Sequence, residues 1–82
     1  MNKEIETAIG NHIRLLRERK GMAQDVLSAK VQLRGCDITR SALAKIEVGQ
    51  RHLYPDEILL LKEIPETDFD SIFYGISFRQ NR

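Results

Sequence analysis

Eighty-two residues make one small domain, and a core of that size supplies only about 3–5 kcal/mol, so a partner chain or ligand can contribute to stability. With 41% hydrophobic and 30% charged residues the chain is neither disordered nor membrane-like; its longest apolar run, Ile58 to Leu61, is far short of the roughly 20 residues of a membrane span. The net charge of +1 hides an asymmetry: residues 1–52 hold ten Lys/Arg against six Asp/Glu, a net of +4, and residues 53–82 hold three against six, a net of −3. A basic first two-thirds is what a phosphate backbone requires, and the remainder has a different job.

The punctuation cuts the chain into five short helical segments, with no linker, repeat or strand-like alternation. The first spans about Ile5 to Arg19, where Ile5, Ile9, Ile13 and Leu16 form the stripe of an amphipathic helix. Lys20-Gly21 ends it. Gly10 is unfavourable inside a helix by about 1 kcal/mol against alanine, which points to close packing there. The second segment starts near Gln24, turns Leu27 and Val31 inward and ends at Gly35; its cap position is Ala23, a poor cap. Asp37-Ile38-Thr39 leads into the third, with Thr39 as N-cap, Leu43, Ile46 and Glu47 on one face, and Gly49 at its close. The fourth opens at Pro55, buries Ile58, Leu61 and Ile64, and stops at Pro65. The fifth is capped by Thr67 with Asp70 at the capping-box position, and has Phe69, Ile72 and Phe73 as its apolar side. The expected fold is all-α, with a domain over residues 1–75 and a tail over 76–82.

The run IGNHIRLLRERKGMAQDVLSAKV followed by ITRSALAKIEVGQR resembles the Cro/repressor-type helix-turn-helix family, also called the xenobiotic-response-element family. The matching features are the stripe from Ile9 to Leu16, Lys20-Gly21, Gln24 and Leu27, then Thr39-Arg40-Ser41, Leu43, Lys45-Ile46-Glu47, Gly49 and Arg51. They span about residues 9–74. The resemblance implies a five-helix lambda-repressor-like domain that binds double-stranded DNA as a transcriptional regulator, a repressor, with the segment 40–48 in the major groove. Two features depart from the pattern. The stretch from Val31 to Thr39 is longer by about five residues than such a turn usually is, so either the second helix gains a turn through Gln32 and Leu33 or a small loop forms. Ala23 stands where a capping side chain is usual.

At 100° per residue, Leu43, Ile46 and Glu47 point one way while Ser41, Ala44, Lys45 and Val48 point the other. Such motifs present the first turns of the helix to base edges, which nominates Arg40, Ser41 and Lys45 for base contact. By resemblance, Gln24 and Thr39 at helix N-termini, and Gln50, Arg51 and His52 after the third helix, hold phosphates. The resemblance also pairs Arg17 with Glu47. Phe69, Phe73, Tyr74 and Phe78 are nominated as a homodimer contact, because a two-fold operator needs a two-fold protein and aromatic side chains favour such contacts. Ile72, Phe73 and Phe78 could equally complete the domain's own core. The alternative function is a protein-interaction module of the same fold, such as an antitoxin whose partner is a toxin.

No nucleophile–base pair or phosphate-cradling glycine loop is readable, so no catalytic residue and no cofactor is expected. His12, Cys36 and His52 lie 24 and 16 residues apart, which is not the paired spacing of a zinc site. His12 reads as an ordinary surface residue. Cys36, in the longer turn, is expected to be exposed and a bystander. A lone cysteine, with no signal peptide or membrane span, points to the cytoplasm.

Overall fold

Asn2 opens the first helix, α1 (Lys3–Arg19), by accepting the Ile5 amide on its side chain at 3.1 Å, and Glu4 and Glu6 place negative charge in the first turn. The computed structural model describes residues 2–78; Met1 and, from the expected tail, residues 79–82 lie outside the described residues. α1 ends with Gly21 at φ +69°, a conformation that favours glycine, and the Met22 amide returns to the Arg17 carbonyl at 3.2 Å. Four helices follow: α2 (Gln24–Leu33), α3 (Arg40–Glu47), α4 (Pro55–Glu63) and the single turn α5 (Phe69–Ile72). Among the described residues the protein is all-helical, with no strand.

α1 packs on α3 and on α5, and α2 packs on α3. Ile9 and Ile13 from α1, Leu27 and Val31 from α2, Leu43 and Ile46 from α3, Leu61 from α4 and Ile72 from α5 are buried together, joined by Ile38 and Leu53 from the connections. Gly10 is where α1 crosses α3: a Cβ there would fall onto the Ile46 carbonyl oxygen, so the close approach read from the sequence is a backbone contact.

The long connection between α2 and α3 resolves in both of the ways open to it. α2 does run on through Gln32 and Leu33, and a loop from Arg34 then turns at Gly35, whose φ is +91°. Ile38 anchors that loop in the core with no exposed surface, and Ser28 donates to its carbonyl at 2.7 Å. Ala23 makes no side-chain cap to α2, whereas Thr39 accepts the Ala42 amide at 3.1 Å and caps α3.

Three expectations need correction. The cap of α5 is Asp68, which accepts the Ser71 amide at 2.6 Å; Thr67 instead donates to the Lys62 carbonyl and closes the α4 turn. Ile58 and Ile64 are only half-buried, because α4 turns Glu57 and Leu61 inward. On α5, Ile72 is the core residue, while Phe69 and Phe73 remain exposed, and so does Phe78 beyond it.

Candidate nucleic-acid interface

The buried face of α3 is held by more than apolar contact. Glu47 is 1% exposed and receives three hydrogen bonds: from Arg17 Nε at 2.7 Å, Arg17 Nη2 at 3.0 Å and Gln24 Nε2 at 2.9 Å. Arg17 also donates through Nη1 to the Met22 carbonyl at 2.6 Å. One carboxylate therefore ties the end of α3 to α1, and to α2 through its first residue. Bonds to Glu47 raise the Arg17 pKa against the opposing effect of burial, so the guanidinium stays charged. The pair implied by the resemblance is present, and Gln24 is a third member of it.

That fixes which side of α3 faces out. Arg40, Ser41 and Lys45 are exposed, with Ala44 half-buried and Val48 exposed beside them. Arg40 and Lys45 enter no ion pair or side-chain hydrogen bond among the described residues, so both cations are open to solvent. Thr39 and Gln50 bracket the same helix and are exposed.

The other residues nominated for phosphate contact have internal partners. Gln24 is half-buried with its amide on Glu47. Arg51 makes a fork on Glu57, Nη1 to Oε1 at 2.9 Å and Nη2 to Oε2 at 3.0 Å, and Nη1 also reaches the His52 carbonyl. His52 Nδ1 lies 3.0 Å from Glu6 Oε2, and Glu6 Oε1 accepts the Leu53 amide at 2.8 Å. Burial opposes ionisation of Glu57, but the Arg51 fork and the Tyr54 amide outweigh it and hold the carboxyl below its ordinary range. Glu6 shows the same balance: burial works against it, and His52 with the Leu53 amide lowers it.

Glu6 and Glu57 were not nominated from the sequence. Glu57 stands three residues after Tyr54, the helix-entry spacing of a capping box, but tyrosine is not a usual cap and hides the pattern. Glu6 had no local signal, since its partners are 46 and 47 residues away.

Phe69, Phe73, Tyr74 and Phe78, in α5 and the residues that follow it, all show exposed surface, with Tyr74 79% exposed, and the Lys62 ammonium sits 5.0 Å from the Phe69 ring centre. His12 is half-buried, not a free surface residue: its Nδ1 donates to the Ile72 carbonyl at 2.7 Å and joins α1 to α5. Cys36 is likewise half-buried; burial, then the charges of Glu57 and Asp56, raise its pKa and disfavour the thiolate.

Comparison of the chain with protein-family models, with curated proteins and with solved structures finds no match. Among the described residues no helix is long and apolar enough to cross a membrane, and no group of three or more His, Cys, Asp or Glu could hold a metal ion.

Proposed function

We propose that this protein is a lambda-repressor-like helix-turn-helix domain that binds double-stranded DNA as a homodimeric transcriptional regulator, a repressor by resemblance, with α3 in the major groove. The observation that carries the reading is the division of α3 into two faces. One is fixed by a buried carboxylate network, and the other presents Arg40, Ser41 and Lys45 without internal partners. A helix that reads bases needs both, since its orientation must be set before its side chains meet the groove. Arg40 and Lys45 suit the O6 and N7 of guanine; the Ala44 and Val48 methyls suit a thymine methyl. Gln50 is free to meet a phosphate after the helix, and Thr39, whose hydroxyl oxygen accepts the Ala42 amide, keeps its O–H to donate to one at the helix start, whereas a phosphate at Gln24, Arg51 or His52 competes with a carboxylate already bound there.

Selection of bound sequences from random duplexes tests this. Arg40→Ala should flatten the preference at one position of each half-site and cost about 1–3 kcal/mol on the cognate sequence. Lys30→Ala, on the outer side of α2, should leave that preference unchanged. No duplex binding by the wild type at low salt sinks the reading. The exposed aromatic residues around α5 favour a second reading, a protein-interaction module of antitoxin type. Tight, salt-insensitive binding to a protein together with no duplex binding would put that reading first.

A further inference from the structure

A cleft of about 500 Å³ lies between α1 and α5, away from the exposed face of α3. Leu15, Leu16 and Arg19 line it from α1, and Asp68, Asp70 and Tyr74 from the α5 side. The His12 bond to the Ile72 carbonyl joins the two walls. Leu15 is 44% exposed despite its place on the central helix, and Tyr74 stands out into solvent at the same mouth.

Charge is what identifies the occupant. The α1 wall is basic through Arg19 and the α5 wall acidic through Asp68 and Asp70. Asp68 is engaged in capping α5, but Arg19 and Asp70 enter no ion pair among the described residues. A partner of one sign would be attracted by one wall and repelled by the other. A second copy turned about a two-fold axis meets neither problem. In such an arrangement residue i faces residue j and j faces i, so a surface with one basic and one acidic wall is complementary to itself.

We propose that a second copy of this chain docks on the α1–α5 cleft, with Arg19 opposite Asp70 of the partner subunit in two equivalent contacts and Leu15 and Tyr74 buried beside the axis. This deepens the reading above by naming the surface through which its homodimer forms. It adds Leu15 and Arg19 of α1 to the aromatic residues of the C-terminal end.

Sedimentation of the full chain without DNA, over a range of concentrations, tests the proposal. Four samples are compared: wild type, Arg19→Asp, Asp70→Arg, and an equimolar mixture of the two variants, each checked for native helicity by circular dichroism. The wild type should dimerise. Each variant alone puts like charges across both contacts and should weaken the dimer by roughly tenfold or more. The mixture restores opposite charges at both contacts and should recover it, which no loss of folding could imitate. Leu15→Asp should give monomer in every mixture. A wild type that stays monomeric throughout, folded variants that dimerise like the wild type, or a mixture that fails to recover would each overturn the proposal. Because no DNA is present, these outcomes are independent of duplex binding; a monomeric chain that still binds a half-site would refute the dimer surface alone.

Discussion

Replacing Glu47 by alanine removes the acceptor of three hydrogen bonds and leaves Arg17, itself 6% exposed, with the half-buried Met22 carbonyl and, 4.0 Å away, the exposed Glu18 carboxylate. Stranding one member of a buried ion pair costs about 3–5 kcal/mol. In a domain of this size each kcal/mol moves the melting temperature by about 4–8 °C, so a drop of roughly 12–40 °C is expected. Since such a core supplies only about 3–5 kcal/mol, Glu47→Ala should lie close to its unfolding midpoint at room temperature, with a large unfolded fraction. Circular dichroism melts and urea titrations read this directly. Glu18→Ala is the control: Glu18 is half-exposed, pairs with Arg14 across one helical turn at 3.3 Å, a contact worth about 0.3–0.5 kcal/mol, and stands 4.0 Å from Arg17, where solvent screens it. A third sample separates stranded charge from lost packing. Arg17→Met with Glu47→Leu removes both charges, and should be more stable than Glu47→Ala even though it leaves the Met22 carbonyl without its donor. A Glu47→Ala protein melting within about 4 °C of wild type would refute the reasoning, since that shift corresponds to no more than about 1 kcal/mol.

Gly10→Ala gains about 1 kcal/mol of helix propensity, yet its Cβ would meet the Ile46 backbone, which has no rotamer to give way, at an overpacking cost of about 1–3 kcal/mol; a net loss of up to about 2 kcal/mol in a urea titration is expected, and a stabilised variant would show that α1 and α3 can separate cheaply. Glu57 has a folded-state pKa below its unfolded value, so its contribution is present above the ordinary carboxylate range and is lost as pH falls from about 4.5 through the lower folded value. Glu57→Gln should therefore melt lower than wild type at pH 7, and the gap should narrow as both are acidified; a constant gap from pH 7 to pH 3 would count against the Arg51 fork as its source.

What could be read in advance follows from sequence distance. The ends of α1 and α3 and the start of α4 are local events: glycine past a basic last turn, threonine before a helix, proline in a first turn. Each was legible because its cause lies within a few residues. The buried stripes of α1 and α3 were legible for the same reason. The cap of α5 was misplaced by one residue because Thr67 and Asp68 are both good caps and only packing chooses between them. Ile38 looked like part of a connection, yet it is the residue that closes the long turn, because burial of an isolated isoleucine in a loop has no period to reveal it. The Arg17–Glu47 pair came from the resemblance. The partners that Glu6, Gln24 and Arg51 find were not legible, since each pairing depends on how helices or their connections meet in three dimensions.

Those pairings give an internal role to residues that the sequence nominates for phosphate contact. Gln24, Arg51 and His52 each rest on a carboxylate: Glu47, Glu57 and Glu6. All three carboxylates are buried or half-buried, and each is met by at least two donors, so their desolvation is offset by hydrogen bonds that solvent screens poorly. These contacts brace the C-terminal end of α3, Glu47 tying its last turn to α1 and to the start of α2, and Arg51 and His52 holding the turn that runs on toward α4. The two cations of α3 itself, Arg40 and Lys45, are unpaired among the described residues and lie on the N-terminal side of that brace. A charge needed to hold the helix and a charge free to meet a ligand are thus different residues, and substitution of the second kind leaves the brace intact. On the DNA reading, that separation lets the exposed face of α3 change its sequence preference while the buried face keeps the fold.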